Sequence, residues 1–203
     1  MKINQLSFLK KVKLFFYFIL CTPHLLCYWL QSNSKKAIIK ADVLRWNAVY
    51  VPASGFVTGF VFHLCFYPEF RNLFYYRIGA LSNLLNVYLG KMKTLYLSTP
   101  KIGEGLFIQH GFATVIAAKS VGKNCWINQQ VTVGFSNKDY CPIIEDNVTI
   151  NAGAKVIGGI VIGSGAVIGA NAVAVKNVPE NCVVVGVPAY IIKRNGIKVN
   201  EKL

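Results

Sequence analysis

The run Ile144-Glu-Asp-Asn-Val-Thr-Ile150-Asn-Ala-Gly-Ala-Lys-Val156-Ile-Gly-Gly-Ile-Val-Ile162-Gly-Ser-Gly-Ala-Val-Ile168 repeats a β-branched aliphatic at every sixth position. An α-helix would scatter these five residues around its circumference, and a regular strand would not call for a six-residue step. The spacing instead fits very short strands joined by turns, each aliphatic pointing inward to stack on its equivalent one coil away. Upstream, Val115, Val121, Ile127 and Val133 keep the same step, and Ile102 and Ile108 start it with an offset of one residue. Small or polar residues follow many of these positions, among them Gly103, Gly122, Asn128, Gly163 and Gly169. The predicted fold is mainly β, a parallel solenoid of hexapeptide repeats over residues 95–192, with a basic tail at 193–203.

Two interruptions mark where function would gather. One extra residue lies between Ile108 and Val115, around Gln109-His110-Gly111-Phe112, and a wider gap spans Phe135 to Ile143. Insertions in a solenoid must bulge outward as loops, and binding groups collect on such loops.

Residues 1–94 read as a helical, hydrophobic region. Lys10, Lys11 and Lys13 precede the apolar run Leu14 to Leu30, with Lys35, Lys36 and Lys40 beyond it. No small-residue cleavage pattern follows, so a secretory leader is not expected. The run has 17 residues, interrupted by Thr22, Pro23 and His24, at the lower limit for a spanning helix. Crossing a membrane, lying on it as a hairpin kinked near Pro23, and packing within the protein are the three readings. Pro68 is placed to open a second helix, with Glu69, Asn72 and Tyr76 on one face and Phe70, Leu73 and Arg77 on another, as solvated and core stripes.

The chain carries 22 Lys/Arg against 8 Asp/Glu, and the first hundred residues hold twelve of the former and two of the latter. Basic residues beside aliphatic and aromatic runs, with no nucleic-acid-binding motif, fit an anionic membrane surface better than nucleic acid. The six cysteines show no metal-type pairing and read as reduced, packed thiols, which points to the cytoplasm, at the inner face of the cell membrane if the apolar run engages lipid.

Residues 100–192 resemble the hexapeptide-repeat acyltransferases, and within them the serine acetyltransferase-like branch. The resemblance is carried by Ile102-Gly-Glu-Gly, His110-Gly, Val131-Thr-Val-Gly134, Asn151-Ala-Gly-Ala154 and Gly186-Val-Pro-Ala189. It implies a left-handed β-helix, acetyl-CoA as cosubstrate with no metal, and a homotrimer with active sites between neighbouring subunits. Pro68-Glu-Phe-Arg-Asn-Leu-Phe-Tyr-Tyr-Arg77 resembles a segment of members tied to surface-polysaccharide synthesis, which favours a sugar hydroxyl, free or lipid-linked, as acceptor over serine.

Moving an acetyl group from a thioester to an alcohol requires a base for the hydroxyl proton, and imidazole, with a free pKa near 6.5, suits neutral pH. His110, the last of three histidines, falls on the family's catalytic position. Serine acetyltransferases orient that base with an upstream aspartate and hold serine with a second histidine in the loop. Here Leu95-Tyr-Leu-Ser-Thr-Pro-Lys101 has no acid and Asn137-Lys-Asp-Tyr-Cys-Pro142 has no histidine. A backbone carbonyl or Glu104 would then orient the ring.

Gly134, Ala152 and Ala170 are each 18 residues apart, three hexapeptides, and are expected to stack in one column that leaves main-chain groups open to a pantetheine arm. The Gly134 backbone N–H is a candidate donor to the developing oxyanion. Lys176, Lys193 and Arg194, near the end of the repeats, are the candidate partners of the adenosine phosphates. A zinc hydratase on the same fold would need three histidines, and a purely structural scaffold would have no use for His110.

Overall fold

The structure is a computed structural model; it describes residues 7–137 and 140–203, with the side chains of Lys10, Lys11, Lys13 and Leu14 outside that description. The chain divides into two compact units, 1–92 and 93–203.

The first unit is helical: α1 (Phe8–Leu20), α2 (Thr22–Trp29), α3 (Asn33–Tyr50), α4 (Phe56–Phe66), α5 (Pro68–Ile78) and the single turn α6 (Ser82–Leu85). Sequence chemistry sets the breaks. Pro23 sits in the first turn of α2, where its missing N–H costs nothing, so the apolar run folds as two short helices. Ser32 caps α3 by accepting the Lys35 N–H, Pro68 opens α5, and Gly79 ends it at a φ of 64°. Trp46, Phe60, Phe70 and Phe74 fill the core, with edge-to-face contacts between Trp46 and Phe70 and between Phe60 and Phe74. Among the described residues no helix is long and apolar enough to cross a membrane.

The solvated stripe expected on α5 is absent. Glu69 and Asn72 are buried and Tyr76 is half buried, because other segments of the unit cover that face, while Arg77 on the other stripe is buried as expected. Asn72 Nδ2 donates to the Met92 carbonyl (2.9 Å) while its Oδ1 accepts the Met92 N–H (2.8 Å), and Arg77 Nε donates to Asp42 on α3 at 2.9 Å. Helical periodicity gives a face its position, and only the neighbours decide whether water reaches it.

The second unit is a left-handed parallel β-helix of about five coils with three faces. One face stacks β1 (Leu95–Leu97), β3 (Thr114–Ile116), β6 (Thr132–Gly134), β9 (Lys155–Ile157) and β12 (Val173–Ala174). The second stacks β4 (Ser120–Val121), β7 (Ile143–Ile144) and β10 (Val161–Ile162). The third runs from β2 (Phe107–Ile108) through β5 (Trp126–Ile127), β8 (Thr149–Ile150) and β11 (Val167–Ile168) to β13 (Cys182–Val185). Ile144, Ile150, Val156, Ile162 and Ile168 are all buried, as their six-residue step requires.

Two expectations change. Upstream the inward residues are Thr114 and Ile116, with Val115 only half buried; Ile116 pairs with Val133 in the parallel register. Eight positions therefore separate Ile108 from Ile116, where six separate Ile127 from Val133, and the following corner is shortened to compensate. Residues 193–203 are not a separate tail: β14 (Tyr190–Arg194) and β15 (Ile197–Lys202) add an antiparallel hairpin to β13. All six cysteines are free, four of them buried.

Candidate active site on the coil

His110 occupies the loop between β2 and β3 that the two extra residues create. Its φ is +57° and that of Ala113 is +51°, both in the left-handed region, and the Phe112 N–H turns back onto the His110 carbonyl. This tight reversal lifts the imidazole off the coil, and His110 and Phe112 are both exposed. Glu104 cannot readily serve as its orienting acid, since its carboxylate pairs with Lys123 at 2.9 Å.

The strand register settles which residues share the His110 corner. Ile108 pairs with Ile127, Ile127 with Ile150, Ile150 with Ile168, and Ile168 with Val184. Two positions beyond each lie His110, Gln129, Ala152, Ala170 and Gly186. Backbone bonds continue the alignment through the corner: Gly153 N–H to Gln129 O at 3.0 Å and Asn171 N–H to Ala152 O at 2.9 Å. Ala152 and Ala170 thus fall in one column, with His110 at its head.

Gly134 does not belong to that column. It pairs with Ile157, and the Gly158 N–H donates to the Gly134 carbonyl at 3.0 Å. The count of 18 from Gly134 to Ala152 crosses the loop after β6, which lengthens that coil to the 23 residues separating Thr132 from Lys155. Within that loop Lys138 and Asp139 lie outside the described residues; Tyr140 packs over Gly159, where a Cβ would stand 2.7 Å from the ring.

The cationic candidates separate in a similar way. Lys176 Nζ donates to the Leu203 carbonyl at 2.7 Å and lines a cleft of about 540 Å³ with Pro188, Tyr190 and Lys202. Arg194 is committed to Glu201 through two bonds, Nη2 at 2.6 Å and Nε at 3.2 Å, and this partner raises its pKa further. Lys193 is exposed on the hairpin, opposite Lys198. Only Lys176 of the three lines the cleft.

Two features escaped the sequence reading. Gln129 stands in the column between His110 and Ala152. One position earlier runs a ladder of amides: Trp126 Nε1 donates to Asn128 Oδ1 (2.9 Å), Asn128 Nδ2 to Asn151 Oδ1 (3.4 Å), and Asn151 Nδ2 to the Ile168 carbonyl (2.9 Å). The ladder braces the corner that presents His110. The signal was in the sequence, because Asn128 and Asn151 are one 23-residue coil apart, the same lengthened coil that misplaced Gly134. Among the described residues no three His, Cys, Asp or Glu gather as a metal site.

Comparison with known proteins bears on this geometry. Residues 141–174 match the family "Bacterial transferase hexapeptide (six repeats)". The serine acetyltransferase of Synechococcus elongatus is 38% identical over 152 residues, which is 68% of this chain and 62% of that protein. The chain thus spans less than two thirds of that relative's length. Among solved structures, the serine acetyltransferase of Neisseria gonorrhoeae superposes with a TM-score of 0.66 at 28% identity, over 83% of this chain and 68% of that one. A serine acetyltransferase in complex with CoA superposes with a TM-score of 0.58 at 26% identity, over 78% and 70%. In sequence and in fold the chain is similar to the hexapeptide-repeat acyltransferases of the serine acetyltransferase-like branch.

Proposed function

We propose that this protein is an O-acetyltransferase that uses acetyl-CoA, with His110 as general base and the hydroxyl of serine as acceptor. The observation that carries the reading is the placement of an exposed imidazole at the head of the column formed by Gln129, Ala152 and Ala170. Ala152 is half buried and Ala170 exposed, so the main chain beside them is open to an extended amide-bearing ligand. Lys176 and Lys202, at the cleft beyond the column, suit its phosphates. The names of the similar proteins supply both CoA and serine.

Acetyl-CoA supplies an acyl carbonyl already activated as a thioester. His110 takes the proton as the acceptor oxygen bonds to that carbonyl carbon, and returns it to the departing sulfur, leaving ester and free thiol in balance. With Glu104 paired to Lys123, a main-chain carbonyl would orient the ring. A neighbouring subunit of a homotrimer would complete the wall around so exposed a side chain.

His110→Ala should lower kcat by about 10²–10⁴ with CoA affinity retained. A loss below about 100-fold would remove His110 from the chemistry. Because His24 and His63 are fully buried, a histidine-directed acylating reagent should modify His110 first, and CoA should protect it.

A sugar hydroxyl is the second reading, favoured by one observation: Leu95–Lys101 holds no acid and 135–142 no histidine, the groups that the resemblance links to serine. Thiol release from acetyl-CoA with serine, nucleotide sugars and lipid-linked sugars separates the two. Turnover with serine alone upholds the first, and turnover only with a sugar the second.

A further inference from the structure

We propose that the helical unit docks on an anionic membrane surface, with α1 and α2 lying in the plane of the interface. Both helices expose large apolar side chains at helical spacing. Phe8, Phe15 and Ile19 follow the seven- and four-residue steps of one face of α1, with Phe16 beside them; their exposures run from 62% to 78%. On α2, Leu26 (58%) and Trp29 (60%) are exposed three positions apart, and Leu30 (80%) follows at its C-cap. Single exposed apolar residues are ordinary on a protein surface, but contiguous aromatic and aliphatic stripes mark a contact surface.

Charge selects the occupant. Residues 1–92 carry eleven Lys/Arg and two acids. Both acids are buried, Asp42 against Arg77 and Glu69 within the core, so the accessible charge of the unit is wholly positive. Lys35 and Lys40 are exposed near the apolar patch in sequence, and Lys36 Nζ lies 5.9 Å from the Trp29 ring. A second copy of the chain laid on this face would oppose like charges. An anionic lipid surface neutralises the lysines while its acyl boundary accepts the rings, and Trp beside Lys is the pairing that interfaces favour.

Length selects the mode. At about 1.5 Å per residue, the 13 residues of α1 reach about 20 Å and the 8 of α2 about 12 Å, short of a hydrocarbon core of about 30 Å. The helices therefore lie along the surface and do not cross it.

Flotation of the full chain with unilamellar vesicles tests this. Vesicles of phosphatidylcholine mixed with phosphatidylglycerol should bind about tenfold or more protein than phosphatidylcholine alone, and added salt should reduce the difference. Trp29 emission should shift to the blue on binding, and Trp29→Phe should abolish the shift, because Trp46 is already buried and Trp126 is bonded within the coil. Phe15→Glu with Phe16→Glu, at exposed positions that leave the fold intact by circular dichroism, should cut the bound fraction about tenfold. Three outcomes would overturn the proposal: no flotation with anionic vesicles, equal flotation of the double variant, or a wild-type mass that falls in the double variant while neither floats. The last would assign the face to a second copy.

Discussion

At the residue scale, the helical unit depends on buried polar groups with few substitutes. Tyr75 OH donates to the Leu89 carbonyl at 2.6 Å, so at its 3.0 Å contact with His24 Nε2 it must accept, which places the His24 proton on Nε2. Asn47 Oδ1 can only accept, so His63 Nε2 donates to it at 2.8 Å. Each ring leaves a buried Nδ1 with no partner among the described residues, and burial lowers the pKa to about 4 for His24, helped by Arg71, and about 3 for His63. Both rings are neutral in the folded protein. Below the unfolded value of 6.5 the unfolded chain binds protons that the folded one refuses, so stability is full above pH 6.5 and falls as pH drops toward those lower values. The urea midpoint should decline steadily from about pH 7 to pH 5. A flat profile would contradict neutral burial. Arg77→Ala, which strands Asp42 without its ion pair, should cost about 3–5 kcal/mol in urea unfolding, far more than an exposed pair would.

At the scale of the element, the coil is set by the inward aliphatics and by corners where two backbones nearly touch. Ile162→Ala removes a fully buried side chain from the stack and should cost about 2–5 kcal/mol by urea unfolding. A Cβ on Gly103 would lie 2.7 Å from the Gly122 backbone, so Gly103→Ala should lower the thermal midpoint. At Gly134 a Cβ would find only ordinary contacts, 3.6 Å from Ile157 Cδ1 and 3.8 Å from Thr132 Cγ2. Gly134→Ala should therefore fold normally, and its CoA affinity by calorimetry tells whether this glycine, off the column, contributes anything to the cofactor. Ala170→Trp fills the column itself and should weaken CoA binding by about tenfold or more, with circular dichroism confirming the coil.

For the whole molecule, the proposed trimer gives an assay of assembly. Sedimentation at assay concentration should return three times the 22.5 kDa chain, and dilution that produces monomer should reduce activity in step. A fully active monomer would leave the exposed His110 loop without need of a second wall.

The sequence by itself determined the β-helix, the helical character of the first ninety residues and the position of the His110 loop. Each rests on local repetition: a six-residue step survives in any window of the chain, and a break in it is visible where it occurs. The tertiary structure decided what depends on counting across the breaks or on neighbours far away in sequence. The inward residue of β3 is Ile116 and not Val115, because extra residues in one corner are offset by a shorter one that follows. Gly134 leaves the column and Gln129 enters it, because register follows strand pairing and not residue arithmetic. Glu69 and Asn72 are buried although their spacing permits a wet face, since burial belongs to whatever packs above a helix, and no single helix carries that information.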